Sequence, residues 1–153
     1  MRRKEREITD PKLLEEILKG ANICRLAISN HPYPYIVALN YGYADNSLFI
    51  HCAKEGKKID LLRKNNKVGF QIERGSEIIP HEESCQWTTK YRSIIGTGEV
   101  EMIDDFDEKC KGLDVIMNHS GKADNSYHPK AVDKVLILKV KINEFSGKQA
   151  GDW

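Results

Sequence analysis

Two adjacent lysines, Lys57 and Lys58, open a predicted helix within the segment LFIHCAKEGKKIDLLRKN. A helix N-terminus already carries unpaired N–H groups and about half a positive charge, so cationic side chains there are unfavourable without a bound anion. Gly56 directly precedes them and lets a ligand approach the backbone closely. The pair is therefore a candidate phosphate site, and the alternative interpretation is an ordinary solvated basic turn.

A second group of phosphate-binding candidates, Arg92 and Ser93, begins the strand-like segment RSIIGTGEVEMI. A guanidinium offers a fork of donors and a hydroxyl adds one more, so the two residues suit phosphate oxygens. They would complete the site that the two lysines begin. The alternative is an edge-strand arginine that pairs with a nearby glutamate.

Composition bounds the class of protein. The chain has 153 residues with 24 basic and 23 acidic side chains, so we expect a single domain, residues 1–153, with no overall field for nucleic acid. A basic arm, residues 1–9, and a tail, residues 147–153, are expected to be flexible. No apolar stretch reaches the roughly 20 residues that span a bilayer, and we expect a cytoplasmic protein without a membrane partner.

The cysteines indicate reduced thiols. All four of them are scattered without a C-x-x-C pair: Cys24, Cys52, Cys85 and Cys110. This spacing argues against a zinc ribbon and against a thioredoxin-type redox motif. We therefore predict no metal site.

The surrounding elements must position these candidates. Asp10 and Pro11 predict a capped helix that ends at Gly20, and a later stripe of Phe106, Cys110, Leu113 and Met117 predicts a core-facing helix capped by Asp104 or Asp105. Apolar or alternating segments predict about six strands, with tight turns at HPYP and ADN. The fold class is mainly β (α+β), a closed or partly closed barrel, because closure removes exposed sheet edges.

Irregular structure is predicted in three places. They are the loop from Gly75 to Thr89, the connection HSGKADNSYHP and the tail after Gly147.

Three motifs follow one another along the chain: YPYIVALNYGY, LFIHCAKEGKKIDLLRKN and CQWTTKYRSIIGTGEVE. In these motifs the chain resembles the FMN-binding split-barrel proteins related to pyridoxamine 5'-phosphate oxidase, and most closely the nitroimidazole-resistance branch. The resemblance covers nearly the whole chain. It implies a six-stranded antiparallel split β-barrel with a few short helices, and a homodimer that holds FMN at the subunit interface.

The resemblance also implies the cofactor-binding residues. The flavin ring would lie along one strand, the next strand would add contacts, the lysine pair would hold the phosphate, and the later strand would add polar contacts. These positions are Val37, Ala38, Leu39, Asn40, Ile50, His51, Lys57, Lys58, Arg92 and Ser93.

His51 is the candidate catalytic residue. In the nitroimidazole-resistance branch the histidine at this place lies near the flavin, where it would orient substrate or donate a proton. The alternative is a hydrogen-bonded structural histidine. Strand alternation places the neighbouring Cys52 on the opposite face, as a packed small residue.

These observations predict an FMN-dependent oxidoreductase that passes electrons from NAD(P)H to a small acceptor such as a nitroaromatic. No G-x-G-x-x-G fingerprint is present, so the nicotinamide would bind transiently against the flavin. The chain lacks a recognisable arginine-rich substrate segment after the last strand, which argues against vitamin B6 oxidation.

Two alternatives remain. One is a non-catalytic flavin or haem carrier with His51, His119 or His128 as axial ligand, and the other is a basic module for nucleic acid. Two tryptophans stay ambiguous. Trp153 either stacks over the flavin or frays, and Trp87 either lines the substrate side or anchors its loop.

Overall fold

The computed structural model describes residues 2–153, which form eight strands and four α-helices. The strands are β1 (Glu7–Ile8), β2 (Ile23–Ile28), β3 (Tyr35–Asn40), β4 (Gly42–Ala44), β5 (Ser47–Ala53), β6 (Lys67–Ile79), β7 (Thr88–Ile103) and β8 (Val135–Ala150). The helices are α1 (Pro11–Gly20), α2 (Lys57–Lys64), α3 (Phe106–His119) and α4 (Pro129–Val132). Two 3₁₀ turns are also present, Lys4–Arg6 and Ser84–Gln86.

All the strands join one antiparallel sheet in the order β3-β2-β6-β7-β8-β5-β4, and β1 pairs with β8. The mainly β, α+β class is confirmed, but the strand count is eight and not six. One extra strand comes from the segment YIVALNYGY, which divides at Tyr41 into β3 and β4. Tyr41 is buried there.

The sheet curls so that β3 and β5 contact each other without pairing. One edge of β5 pairs with β8 over its whole length, from Ser47 to Ala53. The other edge pairs with β4 only from Ser47 to Phe49. On the side towards β3, residues 50–53 therefore have no partner strand within residues 2–153, and this unpaired gap is the split of the barrel.

The ADN turn between β4 and β5 is confirmed. Asp45 and Asn46 have φ angles of 48° and 52°, as the two central residues of a type I′ hairpin turn require. The Asn46 amide also donates to the Ile142 carbonyl at 3.1 Å. This contact ties the turn to β8.

Two predicted irregular segments are strands in part, while residues 80–87, apart from the 3₁₀ turn Ser84–Gln86, and residues 151–153 lie outside regular structure as predicted. In the expected loop, β6 continues to Ile79, which lies opposite Thr88 at the start of β7, so the two strands form a long arm. In the expected tail, β8 continues to Ala150, opposite Tyr91. The backbone groups of β7 extend both pairings, and side-chain patterning alone does not reveal that partner.

The basic arm also contributes to the sheet. Glu7 lies opposite Lys148 and Ile8 opposite Gly147, so residues from the expected arm and tail pair with each other. Ile8 is buried. Within residues 2–153 no helix is both long enough and apolar enough to cross a membrane.

The buried face of α3 is shifted by one residue from the predicted stripe, whose Cys110, Leu113 and Met117 are half-buried. Its buried residues are Lys109, Gly112 and Ile116, whereas Phe106 is 40% exposed. The predicted spacing of three to four residues between buried positions is confirmed, but the register of the buried stripe on the helix is one residue earlier than predicted. Gly112 sets that register, because a Cβ there would lie 2.9 Å from Cγ2 of Ile137, so the glycine lets the helix approach β8. Of the two candidate caps, Asp105 accepts from the Glu108 N–H.

A buried polar network joins α1, β4 and α3. The Tyr41 hydroxyl donates to the Leu18 carbonyl at 2.6 Å, which satisfies an acceptor at the end of α1. His119 accepts from the Tyr43 N–H at Nδ1 (3.3 Å) and donates from Nε2 to the Ala21 carbonyl (2.7 Å). The contacts therefore fix the neutral Nε2–H tautomer.

Tyr41→Phe tests this network. Removing the hydroxyl leaves the buried Leu18 carbonyl without its donor, and the free energy of unfolding should fall by about 1–2 kcal/mol in a urea titration. Tyr33→Phe is the control, because that side chain is 77% exposed, and it should change stability by less than about 0.5 kcal/mol. Equal effects of the two variants would contradict the assignment.

Candidate functional site

Strand β3 forms one border of the split. Val37 and Leu39 pack against the core, whereas Ala38 and Asn40 face outward. Because β3 ends the strand order, its second edge carries backbone N–H and C=O groups that no strand pairs within residues 2–153. Of the four cofactor-binding residues predicted on β3, Ala38 and Asn40 have outward side chains, and all four belong to a strand whose second edge is unpaired.

Strand β5 forms the other border. Ile50 is fully buried in the core, and His51 is exposed on the opposite face. Cys52 is half-buried against the core, so it points away from His51 as predicted. Burial raises the pKa of the Cys52 thiol, and nearby Lys58 lowers it by less. The thiol is therefore protonated at neutral pH and is not an activated nucleophile.

Helix α2 starts at Lys57, directly after the split. Gly56 occupies the N-cap position with a φ of 114°, no side chain caps the helix, and the first intrahelical bond runs from the Asp60 N–H to the Gly56 carbonyl. The N–H groups of Lys57, Lys58 and Ile59 are thus open at the helix start. A Cβ on Gly56 would meet no atom within 4 Å, so a ligand has room.

The Lys57 ammonium links α2 to β3. It lies 5.1 Å from the centre of the Tyr35 ring, over the first residue of β3. The structure therefore brings together three groups of predicted residues: the β3 positions, the β5 positions and the lysine pair. They border the unpaired gap between β3 and β5, with positive charge at the end where α2 begins.

Arg92 and Ser93 do not join this group within one chain. Tyr35 is in register with Ile28, then Val68, then Gly98 across three neighbouring strands. Arg92 lies six positions before Gly98, which corresponds to about 20 Å along β7 at roughly 3.3 Å per residue. A lysine side chain does not bridge that distance.

The two residues also point to opposite faces of β7. The Arg92 guanidinium stacks on the Trp153 ring at 4.0 Å, and its Nε donates to the Gln149 side chain at 3.2 Å. Ser93 is buried on the outer face beside Ile95 and Lys148. Within a single chain, Arg92 and Ser93 therefore do not complete the phosphate site that Lys57 and Lys58 begin, because neighbouring strand residues alternate between faces.

The tryptophans are placed by local contacts. The Trp87 indole donates to the His81 carbonyl at 2.6 Å, so it holds together the loop that contains it, although the ring is 54% exposed. Trp153 rests on Lys90 and Arg92 and donates to the Ala150 carbonyl.

The histidines differ in their freedom to bind a metal centre. Both ring nitrogens of His119 are engaged, so it has no lone pair left for a haem iron. His128 and His51 are exposed. Only these two remain from the three histidines proposed as axial ligands.

A charge cluster that the sequence did not predict lies beside the β5–α2 turn. The Asp104 carboxylate contacts the Lys54 ammonium at 2.8 Å and the Lys109 ammonium at 3.1 Å. Lys109 is 2% exposed and also donates to the Val135 carbonyl at 3.2 Å. A lysine in a helix stripe resembles any surface lysine, so the sequence carried no signal for its burial.

The Pyridoxamine 5'-phosphate oxidase family pattern matches residues 10–149, and the chain belongs to that family. A proposed 5-nitroimidazole antibiotic resistance protein from Bacteroides thetaiotaomicron is 33% identical with a TM-score of 0.82, over 94% of this chain and 86% of that one. This similarity confirms the split-barrel fold and the nitroimidazole-resistance resemblance.

Two further similarities are more distant. The FAD and heme binding protein from Mycobacterium smegmatis shares the fold at 19% identity, with a TM-score of 0.82 over 97% of this chain and 75% of that one. The uncharacterized protein RA0666 of Rhizobium meliloti is 29% identical over 85 residues, which are 56% of this chain and 49% of that protein. The match thus spans about half of the curated relative.

The pH dependence of stability should reveal the charge cluster. Lys54, and then Lys109, hold the pKa of Asp104 below its ordinary value of 3.8. The stabilisation by these contacts is therefore fully present above that value and is lost as the pH falls through the lower folded-state pKa. The stability difference between the wild type and Asp104→Asn should be largest near neutral pH and should shrink in acid.

Urea titrations at a series of pH values measure this difference. Asp152→Asn is the matched control, since that exposed carboxyl makes no ion pair in the described part of the chain. Its stability difference from the wild type should stay near zero at every pH. A constant difference for Asp104→Asn would show that the carboxylate charge is irrelevant.

Proposed function

We propose that the protein binds FMN and passes electrons from NAD(P)H to a small acceptor such as a nitroaromatic. The observation that carries this proposal is the uncapped start of α2, where Lys57 and Lys58 stand beside the open edges of β3 and β5. Family membership and the similarity to the nitroimidazole resistance protein support it.

The start of α2 fits the phosphate of FMN. A phosphate monoester carries roughly two negative charges at neutral pH, and it loses hydration when it binds. Two ammonium groups and the open N–H groups at the helix N-terminus would replace that hydration. Gly56 leaves space for the phosphate beside the backbone.

The split fits the flavin ring. The open edge of β3 offers aligned backbone donors and acceptors to the polar edge of a planar ring, and the small side chain of Ala38 leaves room above the strand. When bound, FMN would supply the electron-transfer chemistry. The roles of the protein would be to hold the phosphate and to orient the ring.

His51 is proposed to act on the substrate side. Its imidazole is exposed on β5, next to the split. There it would orient the acceptor or hold a proton at a ring nitrogen for transfer.

A second copy of the chain would supply the missing residues. Arg92 and Ser93 lie too far from α2 of their own chain, so we propose that they contact the cofactor bound to a partner subunit. The outer face that carries Ser93 also exposes Ile95 at 62%, and Ile36 is exposed to the same extent. Exposed isoleucines on a sheet face are typical of an interface, which supports the homodimer with FMN between the subunits.

A carrier without turnover is the second candidate, favoured by the fold shared with the FAD and heme binding protein. Haem would have to use His51 or His128, because His119 is engaged at both nitrogens. The visible spectrum of the purified protein separates flavin from haem. A protein that is colourless and takes up no added FMN would contradict both candidates.

Replacing the lysine pair tests the phosphate site. Lys57→Gln/Lys58→Gln removes two charge-assisted contacts, so the FMN dissociation constant should rise at least about tenfold, measured by quenching of flavin fluorescence. Lys64→Gln is the control, because it removes one ammonium group from the far end of the same helix and should leave the FMN dissociation constant unchanged. Unchanged FMN affinity in the double variant would end the proposal.

Turnover is tested without oxygen. FMN-loaded protein mixed with NADH or NADPH should lose its visible flavin absorbance, and a nitro compound should restore it. His51→Gln should slow one of these two steps by about 100-fold if the imidazole transfers a proton. FMN that stays oxidised with both nicotinamides would favour the carrier.

A further inference from the structure

The buried ammonium of Lys109 needs an explanation. It is 2% exposed and lies on the buried face of α3, three residues before Gly112. A buried charge without partners is strongly unfavourable, so Lys109 depends on the Asp104 carboxylate (3.1 Å) and the Val135 carbonyl (3.2 Å). Its burial fixes Asp104 against α3 and the start of β8.

Asp104 extends this connection to a third segment. The same carboxylate oxygen contacts the Lys54 ammonium at 2.8 Å. Asp104 follows β7, Val135 begins β8, and Lys54 follows β5. The Lys54–Asp104–Lys109 cluster therefore joins three segments of the chain at one point.

The turn from Lys54 to Gly56 has few other constraints. Within this turn, only the Lys54 side chain makes an ion pair or a side-chain hydrogen bond to another part of the chain that the structure describes. Gly56 has open space around it and a φ of 114°, so its own packing does not hold the turn. The Ala53–Val135 pair is the last register pair before this turn. Lys57 and Lys58 begin directly after it.

We propose that the Lys54–Asp104–Lys109 cluster positions the turn that carries the phosphate-binding lysines. Asp104 and Lys109 are positioning residues, since they act on the ligand through Lys54 and the turn. This inference rests on the proposed binding of FMN. The direction of the shift in the Asp104 pKa agrees with it, because both ammonium groups stabilise the carboxylate.

The opposite role of Asp104 would change the affinity for FMN in the opposite direction. If Asp104 merely held Lys54 away from the phosphate, then its removal would release a third ammonium group for the anion. FMN would then bind more tightly to Asp104→Asn. The positioning role predicts weaker binding, so one variant distinguishes the two ideas.

The test compares FMN with riboflavin, which has the same ring and no phosphate. In Asp104→Asn the dissociation constant for FMN should rise about tenfold, while that for riboflavin should stay unchanged. A purely structural role of Asp104 would weaken both ligands equally. Hydrogen exchange of the peptide covering residues 54–59 should become faster in the same variant.

Glu108→Gln is the matched control on α3. It breaks the exposed Lys111–Glu108 ion pair of 2.6 Å and should change neither dissociation constant. Lys54→Gln breaks the cluster from the turn side if Asp104→Asn folds poorly. Its effect on FMN should persist at about 1 M salt, where the Debye length of about 3 Å screens a simple loss of charge.

The outcomes separate this inference from the proposed function. Weaker FMN binding with unchanged riboflavin binding supports the positioning role. A wild-type chain that binds FMN, combined with an Asp104→Asn variant that binds it equally or more tightly, overturns the inference alone. Equal weakening of both flavins also overturns it. A wild-type chain that binds no FMN overturns both proposals.

Discussion

The candidate site depends on one constraint, which is that β5 is paired on both edges over only part of its length. From Ser47 to Phe49 it lies between β4 and β8, and beyond Phe49 its outer edge has no partner strand in the described residues. This limit lies where β4 begins, at Gly42, because the chain divides at Tyr41 and the residues before it pair with β2 as β3. The split follows from that unpaired edge, and His51 lies on this stretch of β5 with its side chain on the exposed face.

Charge is distributed unevenly around the split. Lys57 and Lys58 stand at a helix N-terminus, where the backbone already favours anions, and Lys57 lies over an aromatic ring. Lys109 is buried and satisfied by Asp104 and a carbonyl. Of these three lysines, Lys57 and Lys58 are therefore the ones that can bind an anion at the split. Lys109 is paired inside the protein and stabilises the fold.

The sequence predicted the local features well. The Asp10 cap, the helix that begins at Lys57, the ADN turn and the alternation of His51 and Cys52 all depend on neighbours within a few residues, and the structure has all of them. Long-range pairing was predicted less well. The long arm of β6 and β7, the pairing of β1 with β8 and the register of α3 each depend on a partner that is distant in the sequence.

The sequence by itself determined the family, the mainly β class and the residues that border the split, because these rest on ordered motifs and on local periodicity. Only the tertiary structure decided that Arg92 and Ser93 lie about 20 Å and about 17 Å along the strand from the level of Tyr35, over which Lys57 lies, since register across four strands fixes that separation. It also decided that Lys109 is buried on Asp104. A buried charge depends on which segments meet around it, and that information is absent from any single stretch of sequence.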